Sequence, residues 1–428
     1  MKPSYYNFVY DFQEDPEKHV FYNARTNALA LVEKEQYAAY QAFEADHQAP
    51  LDEEFEKNLK YGGYIVDDDY NELDAIKYRM LNARYNTKGL GLTIAPTSDC
   101  NFRCVYCYEK DSQKHPPMSQ EVQDKIVEFV KAKANEITRL SISWYGGEPL
   151  LALSVIEFLT EKFLEICEQH NIQYSAGMIT NGYLLTKEVA NKLNDMKVDR
   201  IQVTLDGTAE QHDKRRPLAG GGPTFDVIVH NLKEIKDTYK GRIVLRVNTD
   251  RTNIKDVPQI TDIVKEAGLE TTVMPYLARV EDTNGCCDSA QCYRPEEFAD
   301  IEHEFQDQTG KLMTAYPMLK SKYCGADTAN SFVIDADGLM YKCWNDIGIS
   351  ERSVQHIGET SVNEKQLYRY MLFDPTEVEP CSSCKYLPIC MGGCPCQRLQ
   401  NGEVKCDMIR YSLDKLMSKL PRKLEEKK

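Results

Sequence analysis

The hydrophobic pattern of the chain changes character along its length. Over residues 1–88, short apolar alternations are interleaved with three amphipathic runs. "HVFYNARTNALALV" predicts two strands around a turn at Asn23–Asn27, because period-two alternation broken by turn-forming residues marks a hairpin. "EKEQYAAYQAFEA" spaces Tyr37, Tyr40 and Phe43 along one helical face, and "DEEFEKNLKYGG" predicts a second helix stopped at Gly62–Gly63. "YIVDD" is a short strand and "ELDAIKYRMLNARY" a third helix. Strands plus three helices at this size predict a winged-helix-like domain.

From Leu90 the pattern becomes strand-then-helix, repeated six times. Strands at "LGLTIAP", "RLSISWYGG", "YSAGMITNG", "DRIQVTLDG", "RIVLRVNTD" and "LETTVMPYL" alternate with helices at 119–137, 152–169, 187–196, 224–238 and 254–267. Val122, Ile126, Phe129 and Val130 mark the apolar face of the first helix, and Val155, Leu159, Phe163 and Ile166 that of the second. The pattern predicts an α/β fold over 89–280, with parallel strands and right-handed crossovers curled into a partial (β/α)6 TIM-like barrel. Sites in such folds lie at the C-terminal ends of the strands. A cysteine-bearing loop, "GGEP", "TNG" and "TLDG" each follow a strand there. Residues 281–323 form an expected bridge with a helix at 295–307. Residues 324–410 form a loop-built, cysteine-rich domain, and 411–428 a charged tail.

Composition narrows the class. At 42% hydrophobic and 28% charged residues over 428 positions, the chain reads as a soluble protein of more than one domain. No apolar run approaches the ~20 residues of a membrane span, and the N-terminus lacks the apolar core of a signal peptide. A cytoplasmic protein with no membrane partner is the expectation. Formal net charge is −15, and residues 1–88 carry 10 Lys+Arg against 17 Asp+Glu. A winged helix that reads nucleic acid needs a basic face, so no nucleic-acid partner is expected.

Fifteen cysteines are distributed unevenly: none precedes Cys100, three fall within eight residues there, and eleven follow from Cys286 onward. In a reducing compartment such clustering points to metal ligation rather than disulfides. Cys100-x3-Cys104-x2-Cys107 places three thiolates on one loop with no fourth ligand nearby. Thiolates suit zinc and iron–sulfur clusters alike. Zinc would draw a distant fourth ligand, whereas a cube held by three cysteines keeps one iron open; the spacing alone leaves both available.

With an aromatic residue, Tyr106, before the last cysteine and "GGEP" one βα unit later, the segment resembles the radical S-adenosylmethionine (SAM) superfamily. The resemblance implies a [4Fe–4S] cluster on Cys100, Cys104 and Cys107, SAM on its open iron, and cleavage of SAM to a 5′-deoxyadenosyl radical. It also implies cofactor contacts at Tyr106, Gly146, Gly147, Glu148, Pro149, Asn181, Thr204, Asp206 and Arg216. The residue types suit such contacts, since paired glycines let backbone approach a ligand and a carboxylate accepts from an ammonium group.

Cys324-x13-Gly338-x4-Cys343, then Cys381-x2-Cys384-x5-Cys390-x3-Cys394 and finally Cys406 resemble the seven-cysteine SPASM extension. That resemblance implies two auxiliary [4Fe–4S] clusters, three in all. Cys381, Cys384, Cys390 and Cys406 would hold one completely. Cys324, Cys343 and Cys394 would hold the other, its fourth position open or filled by a further residue. Cys292 is the leading candidate for that ligand, with Cys286, Cys287 and Cys396 behind it. Two zinc knuckles are the alternative for these cysteines, and Cys167, on an apolar helix face, is expected to be an inert core thiol.

No GxGxxG follows a strand, so electrons are expected from a ferredoxin- or flavodoxin-type donor protein. The SPASM resemblance spans 90–406. Together with the acidic leading module it resembles ribosomal-peptide (RiPP) maturases, whose leader-recognition element takes up a leader peptide as an added strand. The implied activity is installation of a crosslink, thioether favoured, in a ribosomally made precursor peptide bound through its leader. Protein oxidation of the anaerobic sulfatase-maturating type is the alternative within the superfamily. In those enzymes an aspartate directly follows the cysteine of Gly-x4-Cys; here that position is Trp344, and Asp346 comes two residues later. Tyr276, Trp344 and Asp346 are candidates to line the pocket. A non-catalytic zinc or iron–sulfur binding protein is the remaining alternative.

Overall fold

The computed structural model describes residues 1–110, 116–309 and 316–425; the last three residues of the expected tail lie outside them. The chain forms two compact units, each discontinuous in sequence. One comprises Met1–Tyr85, Arg294–Asp327 and Leu372–Lys428, the other Asn86–Tyr293 and Thr328–Met371.

The first unit begins with β1 (Lys2–Pro3), β2 (Asn7–Asp11), β3 (Lys18–Asn23), β4 (Ala28–Glu33), α1 (Lys34–Ala45), α2 (Glu53–Gly62), β5 (Ile65–Val66) and α3 (Glu72–Tyr85). β2, β3 and β4 make an antiparallel sheet in that order, and β1 pairs with β5. The β3–β4 turn is built on one side chain: Asn23 Oδ1 accepts from the backbone N–H of Arg25 and of Thr26, both at 3.0 Å, and Asn27 takes φ +64°, which asparagine tolerates. Asp52 caps α2 by accepting from Glu54 and Phe55 N–H at 3.1 Å each, and Gly63 ends it at φ +74°.

β2 was not legible in the periodicity, because Phe8, Val9 and Tyr10 give an unbroken apolar run. Both faces of this sheet are covered, which is why alternation fails there. Val9, Phe21, Ala28 and Ala30 pack with Tyr40, Phe43, Phe55 and Leu59 of the helices. Phe8, Tyr10, Tyr22 and Leu29 belong to a second core with Leu387, Ile389, Leu413, Leu416 and Met417. The leading module and the late segments therefore share a core: the boundary expected at residue 88 falls close to the unit boundary at Tyr85–Asn86, but the leading module is not a unit by itself. The expected tail is corrected likewise. Its described part lies within a helix, Ile409–Glu425, whose Leu413, Leu416 and Met417 are fully buried. Their i, i+3, i+4 spacing was masked by the charged residues around them.

The second unit carries β6 (Gly89–Ile94), β7 (Arg139–Trp144), β8 (Gln173–Ile179), β9 (Val198–Thr204), β10 (Arg242–Thr249) and β11 (Val273–Arg279), all parallel to their neighbours and adjacent in chain order. Its helices are α4 (Gln120–Lys133), α5 (Leu153–His170), α6 (Lys187–Asp195), α7 (Ala209–Arg215), α8 (Phe225–Ile235) and α9 (Ile260–Glu266). α7 was not anticipated, and α9 starts late because Pro258 sits in a 3-10 turn, Val257–Gln259, ahead of it. β12 (Ser331–Ile334) extends the sheet parallel to β6, followed by antiparallel β13 (Leu339–Tyr341) and β14 (Gln355–His356).

Alternation along these strands sorts the two faces. Leu90, Leu92, Ile94, Leu140, Ile142, Ile201, Val203, Leu245 and Val247 are buried. The opposite positions are small or polar: Gly91, Thr93, Ser141, Ser143, Ser175, Gly177, Arg200 and Gln202. Those polar positions line cavities. One of about 280 Å³ takes lining residues from five successive strands, β7 to β11 (Ser143, Gly177, Gln202, Val244 and Tyr276 among them), together with Trp344. Five strands can share one cavity only if the sheet curls around it.

Candidate active site

The loop after β6 carries Cys100, Cys104 and Cys107, and three local features hold it. Asp99 Oδ1 accepts from Cys100 N–H at 2.8 Å, and Phe102 N–H points at the Cys100 sulfur at 3.4 Å. The loop also pairs with the end of α7 and the segment after it: Arg103 and Val105 N–H donate to Pro217 and Arg215 carbonyls at 2.9 and 3.0 Å, and Ala219 N–H donates to Asn101 O at 2.8 Å. This strut was not foreseen. It delivers two adjacent arginines, Arg215 and Arg216, to the cysteines.

Burial pushes the Cys100 and Cys107 thiols up to about 12 and raises Cys104 as well. In each case another thiol of the trio contributes or an arginine opposes: Cys104 raises both Cys100 and Cys107, and Arg216 lowers Cys100 and Cys104. The three sulfurs thus share one electrostatic neighbourhood with a buried guanidinium. Burial works against the charge of Arg216, yet Cys104, Tyr106 and Asp206 hold it firmly protonated.

The "GGEP" glycines serve the loop itself. Gly146 has φ +111°, and a methyl there would lie 2.6 Å from Thr97 O; one on Gly147 would lie 2.5 Å from Ser98 O and overlap Asp99 O. Only glycine lets the β7 loop lie against the cysteine loop, where Glu148 N–H donates to Asp99 O at 2.9 Å. Glu148, fully buried, spends its carboxylate within the protein. Thr180 Oγ1 donates to it at 2.7 Å, Asn181 N–H at 2.7 Å and Leu150 N–H at 3.1 Å. These contacts give Glu148 a structural role, locking the β7 loop to the β8 loop. Pro149 opens the 3-10 turn that Glu148 caps. Asn181 Nδ2 reaches the cysteine loop at Asn101 Oδ1, 2.7 Å away.

At the end of β9, Thr204 is buried and Asp206 is the hub of a polar network. Its carboxylate accepts from the Tyr106 hydroxyl, from Arg215 Nε at 3.3 Å and from Asn248 N–H at 3.0 Å. The Tyr106 hydroxyl in turn accepts from Arg216 Nη1 at 2.8 Å and Asn248 Nδ2 at 3.0 Å. Arg215 pairs with both oxygens of Asp250 at 2.9 and 2.8 Å. His212, neutral because burial and the two arginines depress its pKa, accepts from Asp206 N–H at Nδ1, 3.2 Å. Arg215, Asn248 and Asp250 were missed by sequence reasoning. The available signal was "VNTD", a polar strand end equivalent in position to "TNG" and "TLDG".

The network runs inward: Arg246 Nε donates to Asn248 Oδ1 at 2.7 Å and its Nη1 to the Tyr276 hydroxyl at 3.2 Å, which donates to Gln202 Oε1 at 2.8 Å. Tyr276 and Trp344 line the 280 Å³ cavity, and Trp344 stacks on Tyr145 at 5.6 Å. Asp346 does not line that cavity; it is buried, accepting from Tyr370 at 2.5 Å and Arg352 at 3.1 Å.

In the other unit, Cys381, Cys384, Cys390 and Cys406 lie close enough for the last three to raise the Cys381 thiol, after burial, up to about 11. Cys324 is likewise influenced by Cys394, and Asp327 shapes its turn by accepting from Tyr323 and Cys324 N–H at 3.1 Å each. Cys343 belongs to the barrel unit, where it and Cys107 both act on Tyr145. Cys167 is buried on α5, and Cys396 is buried. Cys292 sits 3.8 Å from Cys287. No disulfide joins any of the fifteen cysteines.

Buried donors around the cysteine loop fit a polar cofactor. Ser98 Oγ, Asn101 Nδ2 and Arg216 Nε are buried without a partner in the protein, and such groups are costly unless a ligand satisfies them.

Residues 94–264 match the Radical SAM superfamily, and together with the likeness to a sulfatase-maturating enzyme this match supports a radical SAM enzyme of the SPASM type. A radical SAM domain implies a [4Fe–4S] cluster and SAM. The cysteine-type anaerobic sulfatase-maturating enzyme of Clostridium perfringens is 25% identical over 339 residues, 71% of this chain and 88% of that one. Fe-coproporphyrin III synthase of Methanosarcina barkeri is 28% identical over 175 residues, 40% of this chain and 39% of that one. In fold, native anSMEcpe with bound AdoMet has a TM-score of 0.59 at 21% identity, covering 78% of this chain and 98% of its own. Streptococcus suis SuiB bound to precursor peptide SuiA has a TM-score of 0.56 at 14% identity, covering 94% and 97%. No helix among the described residues is long and apolar enough to cross a membrane.

Proposed function

We propose that the protein is a peptide maturase that installs a crosslink, a thioether in the favoured case, in a precursor peptide bound through its leader. The observation that carries this reading is the leading module. Both faces of its β2–β3–β4 sheet are buried in cores, so only the edge strands β2 and β4 can offer a peptide backbone pairing groups, the recognition mode of strand addition. The likeness to SuiB, which was solved with a precursor peptide, covers 94% of the chain and so extends into this module; that to anSMEcpe covers 78%.

Cys100, Cys104 and Cys107 would hold the SAM-cleaving cluster. Ser98, Asn101, Asn181, Thr204 and Arg216 would surround SAM, with Tyr106 and Asp206 behind them. When bound, the pair supplies one-electron cleavage of SAM and abstraction of a hydrogen atom from substrate. The protein's own part is placement. Glu148 locks two loops, Arg216 brings a cation to the thiolates, and Tyr276 and Trp344 shape a cavity for a peptide side chain. Cys381, Cys384, Cys390 and Cys406 form a complete ligand set for one auxiliary cluster. Cys324 and Cys394 supply part of another, and the assignment of Cys343 to it rests on sequence spacing. A ferredoxin- or flavodoxin-type protein supplies the electrons.

Oxidation of the sulfatase-maturating type is favoured by the 25% identity to the Clostridium perfringens enzyme. Against it, the position expected to hold a carboxylate base is the Trp344 indole, and Asp346 is engaged by Tyr370 and Arg352. Anaerobic coexpression with a cysteine-containing precursor peptide decides the matter by mass spectrometry. The proposal expects loss of two hydrogens per crosslink and one cysteine protected from alkylation. Oxidation of a sulfatase-derived cysteine peptide, with precursor peptides untouched, would overturn it.

A further inference from the structure

We propose that Asp282, Cys286, Cys287 and Cys292 form a mononuclear site for a thiophilic divalent cation of the zinc class, distinct from the cysteine loop after β6. All four residues lie in the segment after β11, which the SAM chemistry does not use. The Cys286 and Cys287 sulfurs are 3.6 Å apart, and those of Cys287 and Cys292 3.8 Å. An Asp282 carboxylate oxygen lies within 4.8 Å of both Cys286 and Cys287 sulfurs, and Asp282 and Cys286 both act electrostatically on Cys292.

The spacing discriminates between metals. Ligands about zinc at ~2.3 Å from each sulfur stand ~3.8 Å apart along a tetrahedron's edge, close to the separations of the Cys286–Cys287 and Cys287–Cys292 sulfur pairs. Thiolates of an iron–sulfur cube each sit on a different iron and stand much farther apart. Three thiolates and a carboxylate also match zinc's preferred donors.

Local structure presents the sulfurs inward. Asn284 and Gly285 take φ +57° and +70°, turning the chain so that the next two residues bring their thiols to the same carbonyl, Glu281 O, at 3.6 and 3.7 Å. The Cys292 thiol faces Asp288 O at 3.8 Å. Cys286 is buried while Asp282 is exposed, leaving an entry side for the ion. The segment has one short 3-10 turn, Ser289–Gln291, the kind of loop that a metal staples. It is tethered to the barrel mouth: Lys110, three residues past Cys107, donates to Cys286 O at 3.4 Å, and Arg251 N–H donates to Gln291 O at 3.0 Å. Metal uptake would release the three thiol protons and fix this loop beside the cysteine loop. Cys292 is then a ligand of this site and not of an auxiliary cluster.

The test uses the full-length protein with its clusters reconstituted anaerobically. Zinc and iron are measured per chain for the wild type, Cys287→Ser, Cys292→Ser and Asp282→Asn. The proposal expects one zinc per wild-type chain, zinc K-edge absorption showing three sulfurs at ~2.3 Å, loss of that zinc in both cysteine variants, and iron unchanged throughout. Iron lost with Cys292→Ser would overturn it by assigning Cys292 to a cluster. A Cys286–Cys287 or Cys287–Cys292 disulfide in anaerobically prepared protein, found by mass mapping, would overturn it too. Should a variant misfold, the wild type alone decides: no zinc as isolated and no uptake on titration with zinc sulfate refutes the site.

Discussion

Tyr106, the residue before Cys107, donates its hydroxyl to the carboxylate of Asp206, 100 residues later at the end of β9. Arg216 and Asn248 donate to the same hydroxyl. One phenol therefore ties the cysteine loop to two strand ends and to the strut after α7. The aromatic residue of the cysteine motif acts here as a polar hub as much as an apolar one.

Tyr106→Phe keeps the ring under Arg215, whose guanidinium lies 5.0 Å from its centre, and deletes the hub. Hydrogen bonds involving charged groups contribute ~1.5–3 kcal/mol, so SAM cleavage should fall about ten- to a hundredfold. Iron content should stay unchanged, because no ligand is lost. Anaerobic 5′-deoxyadenosine release after dithionite, read beside iron content, checks both halves.

Glu148→Gln places an amide N–H₂ where at least one of three donors must be received. Leaving one buried donor unmatched costs ~1–3 kcal/mol. The variant should melt earlier and bind SAM more weakly, and Glu148→Ala should be worse on both counts. Calorimetry with and without SAM separates stability from affinity.

Gly147→Ala would drive a methyl into the Ser98 and Asp99 carbonyls. The cysteine loop must shift, so the expectation is reduced iron and loss of the reduced-cluster EPR signal assigned to the first cluster, with the other clusters retained. Equal iron in variant and wild type would contradict it.

Trp344→Ala removes the indole that lines the cavity and stacks on Tyr145 without touching a cysteine. SAM cleavage should continue while peptide product falls, so the ratio of 5′-deoxyadenosine to product should rise by about tenfold, on the order expected when positioning is lost.

Leu31→Lys alters β4, an edge strand on which Leu31 is 39% exposed. If the leader pairs at that edge, peptide affinity should fall about tenfold, within the ~1–3 kcal/mol range of such contacts, with peptide-independent SAM cleavage unchanged. Fluorescence anisotropy of a labelled leader measures the first, chromatography of 5′-deoxyadenosine the second.

The sequence by itself determined the six parallel strands, the hairpin and helices of the leading module, and the grouping of cysteines into three motifs. Periodicity and ligand spacing are local properties, written within ten or twenty residues. It also located the mouth, since "GGEP", "TNG" and "TLDG" announce strand ends by position. Only the tertiary structure decided what those residues do there. Glu148 turns to Thr180 and Asn181, Arg215 to Asp250, and Asn248 to Tyr106, across separations that no local pattern encodes. The same holds for β2 and for the helix beginning at Ile409. Each buries apolar residues against partners hundreds of positions away, so neither its face nor its role shows until the chain has folded. Asp282, Cys286, Cys287 and Cys292 lie within eleven residues of one another, yet the approach of their thiols depends on a backbone turn at Asn284 and Gly285 that the letters leave unspecified.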